Sequence, residues 1–100
     1  MILLYITCKD ERQARNISLH LLKKRLIACA NFFPIKSMYW WKGKVQNDKE
    51  FTIIAKTMKK HLKKAQDEIK RMHTYKIPCI LRLKAYSSKE FSDWLKKEIR

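Results

Sequence analysis

Residues 1–8 are an apolar, β-rich run, and that pattern predicts a central strand. Asp10 with Gln13 three positions later has the spacing of a capping box, in which each side chain satisfies an orphan backbone N–H. Ala14, Ile17, Leu21 and Leu22 then recur at helical spacing, predicting a helix over 11–25 with Arg12, Gln13, Arg15 and Asn16 outward. Its end, Lys23-Lys24-Arg25, suits the negative pole of a helix dipole. Over 28–41, Cys29, Asn31 and Phe33 alternate with Ala30 and Phe32, so the segment reads as extended. Pro34 cannot donate to a ladder and marks a bulge or an edge. Lys42-Gly43 is a hairpin turn that uses the lone glycine for positive φ, and Asn47-Asp48 reads as a second turn.

Phe51, Ile53 and Ala55 mark one face of the next strand, which runs to Lys56. Thr57 is placed to cap a helix over 58–72, where Leu62, Ala65, Ile69 and Met72 form the apolar stripe. His73-Thr74-Tyr75-Lys76-Ile77-Pro78 is a linker, because Pro78 pushes Ile77 out of the helical region. A last strand over 79–86 follows. Ser87 with Glu90 suggests another capping box, opening a helix that turns Phe91, Trp94, Leu95 and Ile99 inward. The order β-α-β-β-α-β, with two right-handed crossovers over one antiparallel sheet, is the ferredoxin-like α+β sandwich. Here its middle hairpin is extended and a C-terminal helix is added, and residues 1–100 make a single domain.

Composition removes whole classes of function. Gly-rich phosphate loops need several positions without Cβ, and this chain has 1 Gly, so P-loop and dinucleotide-binding folds are excluded. No stretch approaches the roughly 20 apolar residues that span a bilayer. The start lacks a basic leader region and soon meets Lys9, Asp10, Glu11 and Arg12, so the expected location is the cytoplasm, without membrane association. Cys8, Cys29 and Cys79 are an odd set without CxxC spacing and read as reduced thiols. A net charge of +15 attracts phosphate backbones in a salt-dependent way, and a polyanion-binding module is one functional alternative. Specific nucleic-acid reading is not expected, since no aromatic RNA-recognition run lies on a central strand.

Two groupings carry chemistry. Cys29, His73 and Cys79, with Cys8, His20, His61 and Met72 as lesser donors, are the soft or borderline metal ligands. The plainer alternative makes Cys29 and Cys79 strand residues and leaves His73 hydrogen-bonded to its own linker. The second grouping is Tyr39-Trp40-Trp41. Adjacent residues on a strand face opposite ways, so one of the two tryptophans leaves its own core, which favours an oligomer.

Several segments together resemble the CutA divalent-cation-tolerance family. Ala28-Cys29-Ala30-Asn31-Phe32-Phe33-Pro34 is similar to its A-C-x-N-x-x-P block, and Ser37 to Val45 to its S-x-Y-W-W-x-G-K-[IV] signature. Glu50 with Ile53 to Thr57 resembles the following strand, His73 to Pro78 the H-P-Y-x-[VI]-P box, and Phe91 to Leu95 the closing Y-x-x-W-[IL]. The resemblance implies a ferredoxin-like fold and a stable homotrimer related in architecture to GlnB-like signalling trimers. It implies a role in copper and divalent-cation tolerance, and it brings no catalytic reaction, so an enzyme is not expected. Its inter-subunit cleft falls on Tyr39, Trp41, Lys44, Lys56 and Tyr75, with His73 and Cys79 as metal ligands and Lys44 and Lys56 for a small anion.

The chain departs from the family pattern at several points. Thr74 replaces the first Pro of the H-P-Y box, and Cys79 the acidic residue after the second Pro. Lys42 replaces an acid before Gly43, and Tyr86-Ser87-Ser88 a glycine-containing loop. Exchanging an oxygen donor for the sulfur of Cys79 shifts preference from hard cations toward Cu(I) and other thiophilic ions. The expected cofactor is therefore copper or another divalent metal ion, not required for folding. A GlnB-like small-ligand signalling role is the other alternative.

Overall fold

The computed structural model describes residues 1–100. Its elements are β1 (Ile2–Cys8), α1 (Glu11–Lys23), β2 (Cys29–Trp41), β3 (Lys44–Thr57), α2 (Lys59–Met72), β4 (Ile80–Lys84) and α3 (Lys89–Glu98). The strands form one antiparallel sheet in the order β2-β3-β1-β4. Each crossover skips a strand: α1 carries the chain from β1 over β3 to β2, and α2 carries it from β3 over β1 to β4. This is the expected ferredoxin-like α+β sandwich. The core lies between the sheet and the helices, where Leu4, Ile6, Ile53 and Ala55 meet Ala14, Ile17, Leu21, Leu62, Ala65 and Ile69. Leu95 of α3 and Ile99 at its C-cap are buried as well, and an Arg25–Glu98 ion pair of 2.9 Å ties α3 down.

Local readings hold where short-range chemistry decides. Asp10 caps α1, its Oδ1 accepting the Gln13 N–H at 2.8 Å. The turn is Lys42-Gly43, with φ of 51° and 77°, the mirror-image geometry that suits the right-handed twist of two strands. Pro34 sits on the edge strand β2, opposite Phe51, without interrupting it.

Other readings are corrected by tertiary contacts. Asn47-Asp48 is not a turn: both residues pair with β2, opposite Met38 and Ser37. Gln13 is buried rather than outward, because its amide spans from the Lys9 N–H to the Thr74 hydroxyl, at 2.9 and 2.8 Å. Thr57 caps nothing: its hydroxyl donates to the buried Leu26 carbonyl at 2.6 Å, and α2 starts at Lys59 with Met58 as N-cap and no side-chain cap. Ser88, not Ser87, caps α3 through the Phe91 N–H. α1 stops at Lys23, before Arg25 turns to positive φ, and β4 is confined to Ile80–Lys84.

Register decides what the second face of the sheet displays. Leu4, Ile6 and Cys8 oppose Ala55, Ile53 and Phe51 on the helix side. Period-two alternation therefore turns Leu3, Tyr5, Phe33, Ile35, Ile54, Leu81 and Leu83 to the opposite face, which no helix covers. Leu81 and Leu83 are each about half exposed. The β2–β3 hairpin projects past the end of β1, whose last partner on β3 is Phe51, and the molecule measures 45 × 25 × 21 Å.

Candidate functional site

The open face of the sheet deepens into a cleft of about 730 Å³ where the hairpin meets the segment joining α2 to β4. β2 contributes Tyr39 and Trp41, β3 Glu50, β1 Thr7, and the joining segment Tyr75 and Cys79. The strand residues converge because each lies on the open side of the alternation, Trp41 opposite Lys44 and Glu50 opposite Ile35. Trp40, opposite Val45 on the other side of the alternation, is 73% exposed and also borders the cleft.

His73 anchors the joining segment. Its N–H closes α2 on the Ile69 carbonyl at 2.9 Å, and its ring is buried. Nε2 lies 2.7 Å from the Thr7 carbonyl, which can only accept, so the proton sits on Nε2. Nδ1 then accepts the Tyr75 N–H at 3.1 Å. The Tyr75 ring packs on the imidazole with centroids 4.6 Å apart, and the Thr74 hydroxyl takes the Gln13 amide. This arrangement aims the Tyr75 hydroxyl at Glu50, to whose carboxylate it donates.

Glu50 is 7% exposed, an acid lodged in a sheet face, and the phenol offsets its lost hydration. Burial and then the Glu50 carboxylate push the Tyr75 phenol above its ordinary range, so it remains a donor. Tyr39 donates likewise to Asp48, and that bond holds its phenol up as well. The cleft thus presents the Tyr75–Glu50 pair, the Tyr39 phenol, tryptophan and one thiol.

The expected site residues divide. Tyr39, Trp41, Tyr75 and Cys79 come together in the cleft. His73 lies behind it with both ring nitrogens engaged, so the expected His73–Cys79 ligand pair is not formed and His73 serves to position Tyr75. Lys44 and Lys56 stand near opposite ends of β3, roughly 40 Å apart at strand spacing, and neither lines the cleft. Lys56 instead reaches Asn31 and, at 3.5 Å, the Cys29 sulfur. Glu50 and Thr7 are additions that sequence reading missed. The available signal was parity, since Glu50 alternates with Thr52 and Ile54 on the open face.

No three His, Cys, Asp or Glu side chains of the chain converge on one point that could hold a metal ion. The donors that share the cleft are the Cys79 thiol and the Glu50 carboxylate. One chain fits a metal ion as part of a coordination shell, and a closed shell needs donors from elsewhere.

Comparison with known proteins decides the family: the model of the CutA1 divalent ion tolerance protein matches residues 2–98. The chain belongs to the CutA1 family. The divalent-cation tolerance protein CutA of Thermotoga maritima is 42% identical over 100 residues, covering 99% of each chain. That of Archaeoglobus fulgidus is 41% identical over 97 residues, covering 96% of this chain and 95% of the other. The A. fulgidus CutA structure superposes with a TM-score of 0.97 over 100% of both chains at 40% identity. CutA1 from Pyrococcus horikoshii gives 0.95 at 36%, over 100% of this chain and 99% of the other. The A. fulgidus protein is described as periplasmic, which corrects the cytoplasmic expectation. That expectation rested on the charge pattern of the first residues and the absence of a long apolar stretch, and neither is specific to one compartment.

Proposed function

We propose that this CutA1 protein serves divalent-cation tolerance as a homotrimer and takes a soft metal ion, Cu(I) foremost, in clefts shared between subunits. The observation that carries the reading is the open sheet face. Phe33, Leu81 and Leu83 are 39%, 52% and 51% exposed on it, between sheet edges that each offer unpaired backbone groups. A contiguous apolar face of this kind gains most from a second sheet of the same sort. The cleft supports the same assembly, because Cys79 and Glu50 form only part of a shell. Cys79 supplies a thiolate, the donor that Cu(I) prefers over oxygen. His73 holds the segment in place, and Lys44 and Lys56 serve an anion only across a subunit boundary.

Sedimentation equilibrium at micromolar concentration tests the assembly, with three chains of 12.1 kDa expected per particle. Leu81→Glu places a charge on the open face and is expected to yield monomer. Cu(I) titration against a competing chelator tests the cleft. The expected result is tighter binding of Cu(I) than of Mg²⁺ or Ca²⁺, at least tenfold weaker in Cys79→Ser and weakened alongside dissociation in Leu81→Glu. A monomeric wild type overturns the trimer, and unchanged Cu(I) binding in Cys79→Ser overturns the metal role.

A further inference from the structure

On the helix side of the projecting hairpin, a cluster of cations outnumbers the acids beside it and forms no ion pair. Lys36 and Lys49 are directly opposite one another across β2 and β3. Like charges at opposed positions of an antiparallel pair repel and destabilise the ladder. Lys9, from the turn between β1 and α1, reaches the same place. The three lysines line a pocket of about 450 Å³ with Pro34, Ile35 and Phe51 among its walls. Arg15 extends the positive surface, its guanidinium 5.6 Å from the centre of the Phe32 ring.

Two acids lie at the pocket against three lysines, and neither forms an ion pair with them. Asp10 is committed to the Gln13 N–H as the cap of α1. Glu50 turns its carboxylate to Tyr75 on the far side of the sheet. None of Lys9, Lys36, Lys49 or Arg15 forms an ion pair, although Lys24, Arg25, Lys63, Arg71 and Lys89 elsewhere all meet a carboxylate. The ion-paired acids of this chain lie elsewhere, and the three lysines of the pocket stay unpaired.

We infer that this pocket binds a compact oligophosphate anion through Lys9, Lys36 and Lys49. Each ammonium offers up to three hydrogen-bond donors and no acceptor, so the pocket is matched to a ligand rich in acceptor oxygens. A chain of two or three phosphates carries enough negative charge to satisfy three cations, which a singly charged carboxylate does not. The volume lies within the range of about 300–1,000 Å³ common to small-molecule sites. Binding also removes the Lys36–Lys49 repulsion, so the anion stabilises the hairpin that holds it. The pocket opens on the helix side of the sheet, and its occupancy does not depend on Cys79.

Calorimetric titration with sodium tripolyphosphate at constant ionic strength tests the inference, with melting followed in parallel. Saturable binding of one anion per chain is expected, with a rise in melting temperature. Lys36→Gln/Lys49→Gln is expected to bind at least tenfold more weakly, yet to melt no lower than wild type without anion, because the opposed charges are gone. Lys9→Gln, outside the ladder, is expected to weaken binding without touching the hairpin. Lys60→Gln/Lys64→Gln removes the same charge from the outer side of α2 and is expected to bind within twofold of wild type. Absence of saturable binding overturns the inference, as does equal loss in the two double variants, which would mark diffuse attraction. Duplex DNA binding that survives Lys36→Gln/Lys49→Gln, with no response to tripolyphosphate, assigns the charge to nucleic acid and overturns it too.

Discussion

Tyr75→Phe is the most informative single perturbation of the cleft. The substitution keeps the ring that packs on His73 and deletes only the hydroxyl that donates to Glu50. Glu50 is 7% exposed, so water replaces the lost donor poorly. A hydrogen bond to a charged group of this kind contributes about 1.5–3 kcal/mol. In a domain of this size each kcal/mol moves the melting midpoint by about 4–8 °C, so a loss of at least about 6 °C is expected. Glu50→Gln and the double variant complete a cycle by denaturant unfolding at fixed chain concentration, with a coupling of about 1 kcal/mol or more expected between the two sites. The pH dependence carries a sign of its own. The Tyr75 phenol is raised in the folded protein above its ordinary value of 10, first by burial and then by Glu50. Its stabilising contribution is full below pH 10 and is lost as pH climbs through the folded value. Wild type should therefore show a steeper alkaline decline than Tyr75→Phe, which keeps only the shares of Tyr39 and Cys8. A Tyr75→Phe protein that melts within about 1 °C of wild type, or a cycle with no coupling, would refute the claim that this bond holds the cleft together.

Two further outcomes follow from the same chemistry. Cys8 is fully buried and its thiol is pushed up to about 12, by burial first and then by Glu50 and Asp10. A maleimide at pH 8 should therefore modify Cys8 last, and unfolding without reductant should release three free thiols; fewer than three, or equal rates, would contradict this. Glu68 is held down to about 2 by hydrogen bonds from Arg71, Lys24 and His20. The stability it confers is present above its ordinary value of 4.5 and fades as pH falls toward 2, so Glu68→Gln should flatten acid denaturation in that window. Parallel acid curves for the two proteins would show that this exposed cluster contributes nothing.

Much of this protein is written in short-range pattern. The strand and helix order, the Asp10 cap, the Lys42-Gly43 turn and the opposed faces of Trp40 and Trp41 each rest on local backbone chemistry. Such features depend on residues within a few positions of one another, which is why reading along the chain recovers them. Tyr39, Trp41, Tyr75 and Cys79 were legible as cleft residues for a different reason, through motifs that resemble those of a known family.

Tertiary structure decided the rest, because it settles which of several local options a side chain takes. Asn47-Asp48 has turn chemistry, but the partner strand β2 offers it a full ladder, and the ladder wins. Thr57 had a cap available and instead satisfies a buried carbonyl on Leu26, since an unpaired carbonyl there would cost more than an uncapped helix end. His73 had the chemistry of a metal ligand, yet a carbonyl on Thr7 and an N–H on Tyr75 consume both nitrogens. Lys44 and Lys56 share a face and are separated by the length of a strand, a distance that sequence spacing alone does not assign to one site or two. Glu50 and the Lys36–Lys49 pair became visible only with the register, because a shift of one residue would exchange the faces of the sheet and dismantle both arrangements.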